Sequence, residues 1–293
     1  MVAARRFIDM KAAKAWLVVN ARSGSNSDAA REALEQMLAA RDLSPEKTIE
    51  FPTEDLPRSG ELRDGDVGRL IVFTGDGSLN AVIEAVAGWD GEVLVLPGGT
   101  MNLLCARLHG EETDCEAILD CIHRGAYRAV RPMMASCSAG HAHAGLLVGP
   151  GTAWGEVREA MRDFDIGGLA RGTGEAFAET TGGPRVCMVD PVIGHEDGYP
   201  LIELVPSHRG LQVDGYRPET TGEFLRQGWA LLRRRFREGP HERLGLYDRL
   251  VIENCAGEDL DVLLDGEPGT LGSRAEFSVV ECPVDLLATA HGF

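Results

Sequence analysis

No apolar run approaches the roughly 18 residues that cross a bilayer as a helix, which excludes a helical membrane-spanning protein. The first fourteen residues mix charges with short apolar pieces and lack the continuous apolar stretch of a signal peptide. Positive charge is scarce: 29 Lys and Arg stand against 46 Asp and Glu, a formal net charge of -17. A nucleic-acid backbone demands the opposite sign, so no nucleic-acid partner is expected, nor a globally basic coat for membranes. Seven cysteines, at 105, 115, 121, 137, 187, 255 and 282, include no Cys-x-x-Cys pair. That odd, scattered set speaks against a disulfide framework or a zinc knuckle and reads as reduced cytosolic thiols, mostly core filler. Aromatics are few, at 6%, but apolar residues make up 44% of 293, enough to bury the core of one large domain or two ordinary ones. The expectation is a soluble cytoplasmic protein with at most peripheral membrane contact.

What is present is an alternation. Ala15 to Val19 is a compact apolar run of the kind buried on both faces of a sheet, and a polar turn follows at Asn20 to Ser25. Asp28 to Ala40 has helical spacing. Thr48–Phe51, Leu70–Phe73 and Val93–Leu96 read as further strands. Leu79, Val82, Ile83 and Val86 recur at helical intervals, and short helices are expected over Leu103–Leu108 and Ala117–His123. Strand, loop and helix alternate as far as Arg124, which predicts a parallel sheet covered by helices. From Ala126 to Gly215 glycines and prolines are frequent and apolar runs short, the texture of antiparallel β structure. One strong helix interrupts it near Glu223 to Arg237, and strands return over Arg249–Glu253, Asp261–Leu264 and Glu276–Val280. The boundary is placed near Ala126 to Arg131.

Two glycine loops follow strands and open helices: Gly75-Asp76-Gly77-Ser78-Leu79-Asn80 and Pro97-Gly98-Gly99-Thr100-Met101-Asn102. Glycine lets the backbone approach an anion, and a helix N-terminus offers N–H groups and partial positive charge. Ser78 and Thr100 read as helix caps. Each loop alone is an ordinary turn. In a parallel sheet both reach the edge where ligands bind, as does Asn20 to Gly24. Asp265-Gly266-Glu267 follows a strand; its bland reading is a hairpin turn, its functional one a carboxylate that accepts an alcohol proton. Arg226, Arg233, Arg234, Arg235 and Arg237 crowd an amphipathic helix at 224–237, either a solvated face or a contact with anionic headgroups. His141-Ala-His143 lacks the matched carboxylate spacing of a metal site.

In order and spacing, Asn20-x-x-Ser23-Gly24, Gly75-Asp76-Gly77-Ser78, Pro97-x-Gly99-Thr100-x-Asn102 and Asp265-Gly266-Glu267 resemble the diacylglycerol kinase catalytic-domain family, which includes sphingosine and ceramide kinases. The resemblance implies a phosphofructokinase-like parallel α/β domain over residues 1–128, joined by 284–293, and an antiparallel β-sandwich over 129–283. ATP would lie in a cleft between them. It implies nucleotide contacts from Asn20, Ser23, Gly24, Thr53, Thr74, Gly75, Asp76, Gly77, Ser78, Leu79, Asn80, Gly98, Gly99, Thr100 and Asn102. It implies Asp265 as the base, Glu267 in support, and Mg²⁺ bridging the ATP phosphates. The implied activity is transfer of the γ-phosphoryl group of ATP to a diacylglycerol-like or sphingoid lipid. Some bacterial members hold a structural Mg²⁺ beside an Asp-Gly; Asp214-Gly215 corresponds, although Leu211 stands where a partner ligand is expected.

Other departures are Thr74 at the family's first glycine, Ser78 for a common threonine and Ala81 for a common acid. Residues 153–183, which should help build an acceptor pocket, match nothing in the family pattern. Two rival readings stand: a kinase of a soluble alcohol such as NAD kinase, and a degenerate nucleotide-binding sensor. The oligomeric state is open, a homodimer included.

Overall fold

The computed structural model describes residues 14–20, 28–99, 101–111, 113–149, 185–216 and 241–290. The arginine-rich stretch 224–237, the segment 153–183, and Ser23, Gly24 and Thr100 lie outside these. The chain divides into two compact units, residues 1–132 with 281–293, and residues 133–280.

The first unit is built on a six-stranded sheet ordered β2 (Lys47–Phe51), β1 (Lys14–Asn20), β3 (Val67–Thr74), β4 (Glu92–Pro97), β18 (Asp285–Ala288) and β5 (Arg128–Val130). Neighbours are parallel from β2 through β18, and only β5 runs antiparallel. The uninterrupted apolar runs explain this, because β1, β3 and β4 bury side chains on both faces, among them Leu17, Val18, Ile71, Val72, Leu94 and Val95. Helices α1 (Asp28–Ala39), α3 (Asp76–Ala85), α4 (Leu103–His109) and α5 (Cys115–His123) occupy the expected positions. A short α2 (Ser59–Asp64) went unread, having too few turns for periodicity to register.

The chain end closes this unit. β18 inserts between β4 and β5, and the Thr289 and Ala290 amides both donate to the Leu108 carbonyl at 3.1 and 3.0 Å. His109 completes the join: Nε2 lies 3.0 Å from the Val95 carbonyl and Nδ1 2.9 Å from the Thr289 hydroxyl. The last turn of α4 is thereby stapled to β4 and to the tail.

The second unit contains two six-stranded antiparallel sheets. One is ordered β10 (Val192–Ile193), β9 (Val186–Asp190), β14 (Arg249–Asn254), β17 (Arg274–Glu281), β6 (Met133–Cys137) and β7 (Gly140–Ala142). The other is ordered β13 (Glu242–Tyr247), β12 (Gly210–Tyr216), β11 (Leu201–Ser207), β8 (Leu146–Gly149), β15 (Leu260–Leu264) and β16 (Glu267–Leu271). Alternate residues of both sheets meet in one core, including Met188, Ile252 and Phe277 from the first and Val148, Ile202, Leu204 and Val213 from the second.

The cysteine reading needs one correction. Cys187 on β9 and Cys255 just beyond β14 form a disulfide. Sequence separation of 68 hid the pair; the strands bring it together, since Cys187 lies opposite Glu253 and the Cys255 amide donates to the Arg185 carbonyl. The other five form no disulfide, and Cys105 and Cys282 are buried. Burial pushes the Cys115 and Cys282 thiols up to about 11, so neither is a ready nucleophile.

Burial lowers the His109 pKa to about 4, against a weaker opposing effect of the Val95 carbonyl. The folded protein therefore keeps this ring neutral while the unfolded chain takes a proton below about 6.5. Its contribution is intact above that pH and is lost as pH falls towards 4, by roughly 2–3 kcal/mol. In thermal unfolding followed between pH 7.5 and 4.5, the wild type should lose more stability than His109→Gln; parallel profiles would contradict this.

Candidate functional site

At the carboxyl edge of the first unit's sheet, β3 and β4 end opposite each other, Thr74 paired with Pro97. Thr74 is buried, and its hydroxyl donates to the Gly75 carbonyl at 3.1 Å. Its extended strand backbone suits a β-branched residue, so the departure from glycine carries no φ penalty here. Helix α3 starts at once, with Gly75 as its N-cap at φ -77°, ψ 170°. Ser78 is thus not the cap that its residue type suggests; the cap lies three residues earlier, at Gly75. Its hydroxyl instead accepts from Asn20 Nδ2 at 2.9 Å, tying the end of β1 to the first turn of α3.

The two glycine loops meet backbone to backbone. A Cβ on Gly99 would lie 2.5 Å from Gly75 Cα, and one on Gly98 would lie 2.5 Å from both Phe73 C and Thr74 N. Glycine is required here for space, not for positive φ. Asn102 shapes the second loop. It is the N-cap of α4, at φ 51° and ψ 44°, a left-handed conformation that asparagine tolerates. Its Oδ1 accepts from the Gly99 amide and its Nδ2 donates to the Gly99 carbonyl, both at 2.7 Å. The cap is therefore Asn102, beyond the position expected from Thr100. Asp76 Oδ1 reaches across to accept from the Leu104 amide at 3.3 Å, so the first loop also caps the helix that the second one opens.

Of the sequence-predicted nucleotide contacts, the fold gathers Asn20, Gly75, Asp76, Gly77, Ser78, Gly98, Gly99 and Asn102 around this edge. Asn80 is in the second turn of α3, half-buried. Leu79 offers little to a ligand: its side chain is buried and its amide donates to the Gly75 carbonyl at 3.0 Å. Thr53 lies exposed in the turn just after β2. The first-turn amides of α3 have no acceptor within the helix, and the macrodipole favours negative charge there. Chemically, this edge can receive an anion close to the main chain.

The second unit carries the other candidate residues. Asp265 and Gly266 form the two-residue hairpin between β15 and β16, with Leu264 opposite Glu267. Both have positive φ, 49° and 88°, as a type I′ turn requires. The bland reading of Asp-Gly is correct as far as it goes. The carboxylate, however, is buried and accepts three successive backbone amides, from His143 at 2.6 Å, Ala144 at 2.7 Å and Gly145 at 3.0 Å. Three such donors fix the direction of the carboxylate. No side-chain pattern announces a nest of main-chain amides, which is why sequence reasoning missed residues 143–145. Glu267 opens β16 and is exposed. Two residues before Asp265, Leu263 lines a pocket of about 150 Å³ with Leu147, Leu201, Gly149, Pro268 and Thr270.

Asp214, the expected metal ligand, is fully buried on β12. Its Oδ1 accepts from Arg243 Nε and its Oδ2 from Gln212 Nε2 at 2.6 Å. With both oxygens on N–H donors and a guanidinium in contact, this aspartate does not fit the oxygen-rich shell of Mg²⁺. Among the described residues, no group of three or more His, Cys, Asp or Glu is arranged to hold a metal ion. Nor is any described helix long and apolar enough to cross a membrane.

Residues 14–135 match the family described as diacylglycerol kinase catalytic domain, as the loops led us to expect. No curated protein matches the chain. Among solved structures, a diacylglycerol kinase from Bacillus anthracis str. Sterne superposes with a TM-score of 0.58 at 14% identity, covering 94% of this chain and 96% of that one. Two provisionally named diacylglycerol kinases from the same organism give TM-scores of 0.60 and 0.58 at 15% and 16% identity, covering 94% and 93% of this chain and 96% of each of theirs. At such identities the likeness is one of fold: mixed α/β with a largely parallel sheet and antiparallel sheets.

The Gly75–Gly99 contact is asymmetric, and that is testable. A Cβ on Gly75 would meet Gly99 Cα at an ordinary 3.6 Å, whereas the reverse substitution clashes at 2.5 Å. Gly99→Ala should cost about 1–3 kcal/mol in chemical denaturation, and Gly75→Ala much less. Equal costs would show that the loops are not in contact.

Proposed function

We propose that this chain is a lipid kinase that transfers the γ-phosphoryl group of ATP to a hydroxyl of a diacylglycerol-like or sphingoid lipid. The observation that carries this reading is that residues 14–135, which match a diacylglycerol kinase catalytic domain, end their adjacent strands in two glycine loops in backbone contact. The triphosphate is a substrate for that edge. The α3 first-turn amides would take its phosphates, with the Gly98–Gly99 loop packed against them and Asn20 holding Ser78 at the side. Mg²⁺, if it arrives with the nucleotide, would supply positive charge at the phosphate oxygens.

In this reading Asp265 accepts the acceptor's hydroxyl proton. The alcohol oxygen forms a bond to the γ-phosphorus, the bond to the β–γ bridging oxygen breaks, and ADP leaves with that electron pair. Three main-chain amides hold the carboxylate in one orientation, which fixes the side from which a hydroxyl would approach. A strong base is not required, because the transition state is loose and there is little covalent chemistry for the protein to do. Glu267 supports the same end. The pocket lined by Leu147, Leu201 and Leu263, with Asp261 and Thr270, would take part of an acyl or alkyl chain, and Leu263 precedes Asp265 by two residues. Transient association with anionic bilayers through residues 224–237 belongs to the same proposal.

The direct test is incubation of folded protein with labelled ATP, Mg²⁺ and a panel of diacylglycerols, sphingoid bases and ceramides. Label entering the lipid phase is expected; a folded protein that labels no lipid on the panel contradicts the reading. Asp265→Asn should lower turnover at least about 100-fold while nucleotide affinity changes little. Asparagine also turns an N–H₂ towards backbone N–H donors, so its melting temperature should fall. The loss of turnover must therefore persist at a temperature where the variant is fully folded, and turnover that is unchanged there removes Asp265 from its role.

A further inference from the structure

In the second unit, the face of the β13–β12–β11–β8–β15–β16 sheet turned away from the core carries an unusual row. Reading across the strands in register, Leu147 on β8 lies opposite Glu203 on β11, Glu203 opposite Asp214 on β12, and Asp214 opposite Arg243 on β13. Glu203 is 6% exposed and Asp214 0%. Two carboxylates directly opposite each other in an antiparallel pair repel, and burial removes the water that would screen them. Positive charge beside the pair relieves that repulsion. In some bacterial members of the family that the loops resemble, a structural Mg²⁺ beside this Asp-Gly would supply it. Here the Arg243 guanidinium is in contact with Asp214 Oδ1.

The backbone is arranged to deliver that guanidinium. The ladder between β12 and β13 slips between Val213 and Asp214: Val213 pairs with Gly245, but Asp214 pairs with Arg243, leaving Leu244 as the extra residue. Regular pairing would have set Asp214 against Leu244, whose side chain belongs to the core. The bulge lets Leu244 stay in the core and turns Arg243 onto the face that Asp214 occupies. Gly245, at φ 140°, absorbs the irregularity. Gln212 on the same face satisfies the other carboxylate oxygen, and the Tyr216 hydroxyl donates to Glu203 Oε2.

We propose that Arg243 is the built-in counter-cation of the Asp214–Glu203 row, and that it makes the second unit independent of the structural divalent cation that the resemblance implies. Arginine suits this use because its charge persists at every relevant pH and its planar donors match a carboxylate. The bulge is the part of the design that no residue pattern shows: Arg243 is an unremarkable surface arginine in the sequence, and its side chain remains about half exposed at 53% while its partner's is 1% exposed.

The test uses the full chain without nucleotide, so its outcome is separate from that of the kinase assay. Thermal unfolding is followed in EDTA and in millimolar Mg²⁺ for the wild type, Arg243→Gln, Asp214→Asn and the double variant. The wild type should melt at the same temperature in both buffers. Arg243→Gln should melt about 5 °C lower, because the buried Asp214 carboxylate loses its cation. The double variant should recover part of that loss, since no uncompensated carboxylate remains at position 214. If EDTA lowers the wild-type melting temperature and Asp214→Asn abolishes that effect, a metal ion holds the site and the proposal is wrong. It is equally wrong if Arg243→Gln melts like the wild type. Should Arg243→Gln fail to fold, recovery of folding in the double variant supports the proposal, and a double variant equally unfolded overturns it.

Discussion

Two glycine loops can share one edge of a sheet only if their main chains are allowed to touch, and that constraint organises the first unit. Gly99 packs against the Cα of Gly75, and Gly98 against the backbone joining Phe73 to Thr74, with no room for a Cβ on the second loop. Around this contact the polar side chains act on backbone rather than on solvent. Asn102 closes its own loop on Gly99, Asp76 caps the neighbouring helix at Leu104, and Asn20 holds Ser78. The outcome is a rigid surface of main-chain amides at a helix N-terminus, which suits an anion of high charge. The stapling of α4 by His109 to Val95 and Thr289 extends the same logic to the chain's far end, because it holds the helix that the second loop opens.

The second unit handles negative charge by two contrasting means. The Asp265 carboxyl is buried among three amides, with its backbone committed to a tight turn. The Asp214 carboxyl is buried against an arginine that a bulge has turned towards it. In both cases an isolated carboxylate would be costly to bury, and in both the compensation comes from main-chain geometry. The difference bears on chemistry. Asp265 is oriented by main-chain amides at a tight turn, whereas Asp214 has both oxygens on side-chain donors within the sheet.

Legibility followed the physical origin of each feature. The strands of the parallel sheet could be read because residues buried on both faces must be continuously apolar, and α1, α3, α4 and α5 because one apolar stripe recurs at helical spacing. The glycine loops could be read because glycine is the only residue that permits such an approach. Side-chain roles inside them were less legible. Ser78 and Thr100 have the residue type of caps, yet the caps are Gly75 and Asn102, set by where the chain leaves the strands. Features made by distant backbone were not legible at all: the Cys187–Cys255 disulfide, the amides of residues 143–145 beneath Asp265, and the bulge that presents Arg243. Each depends on strand register, which short apolar runs specify only after the sheets have packed.

The central claim is that the paired loops form one anion cradle for the phosphates of ATP. Hydrogen–deuterium exchange of the full chain, with and without ATP and Mg²⁺, tests it most directly. The account predicts slowed exchange in the first unit concentrated in peptides covering residues 75–80 and 97–102. Exchange in those peptides that is unchanged at saturating nucleotide would contradict it.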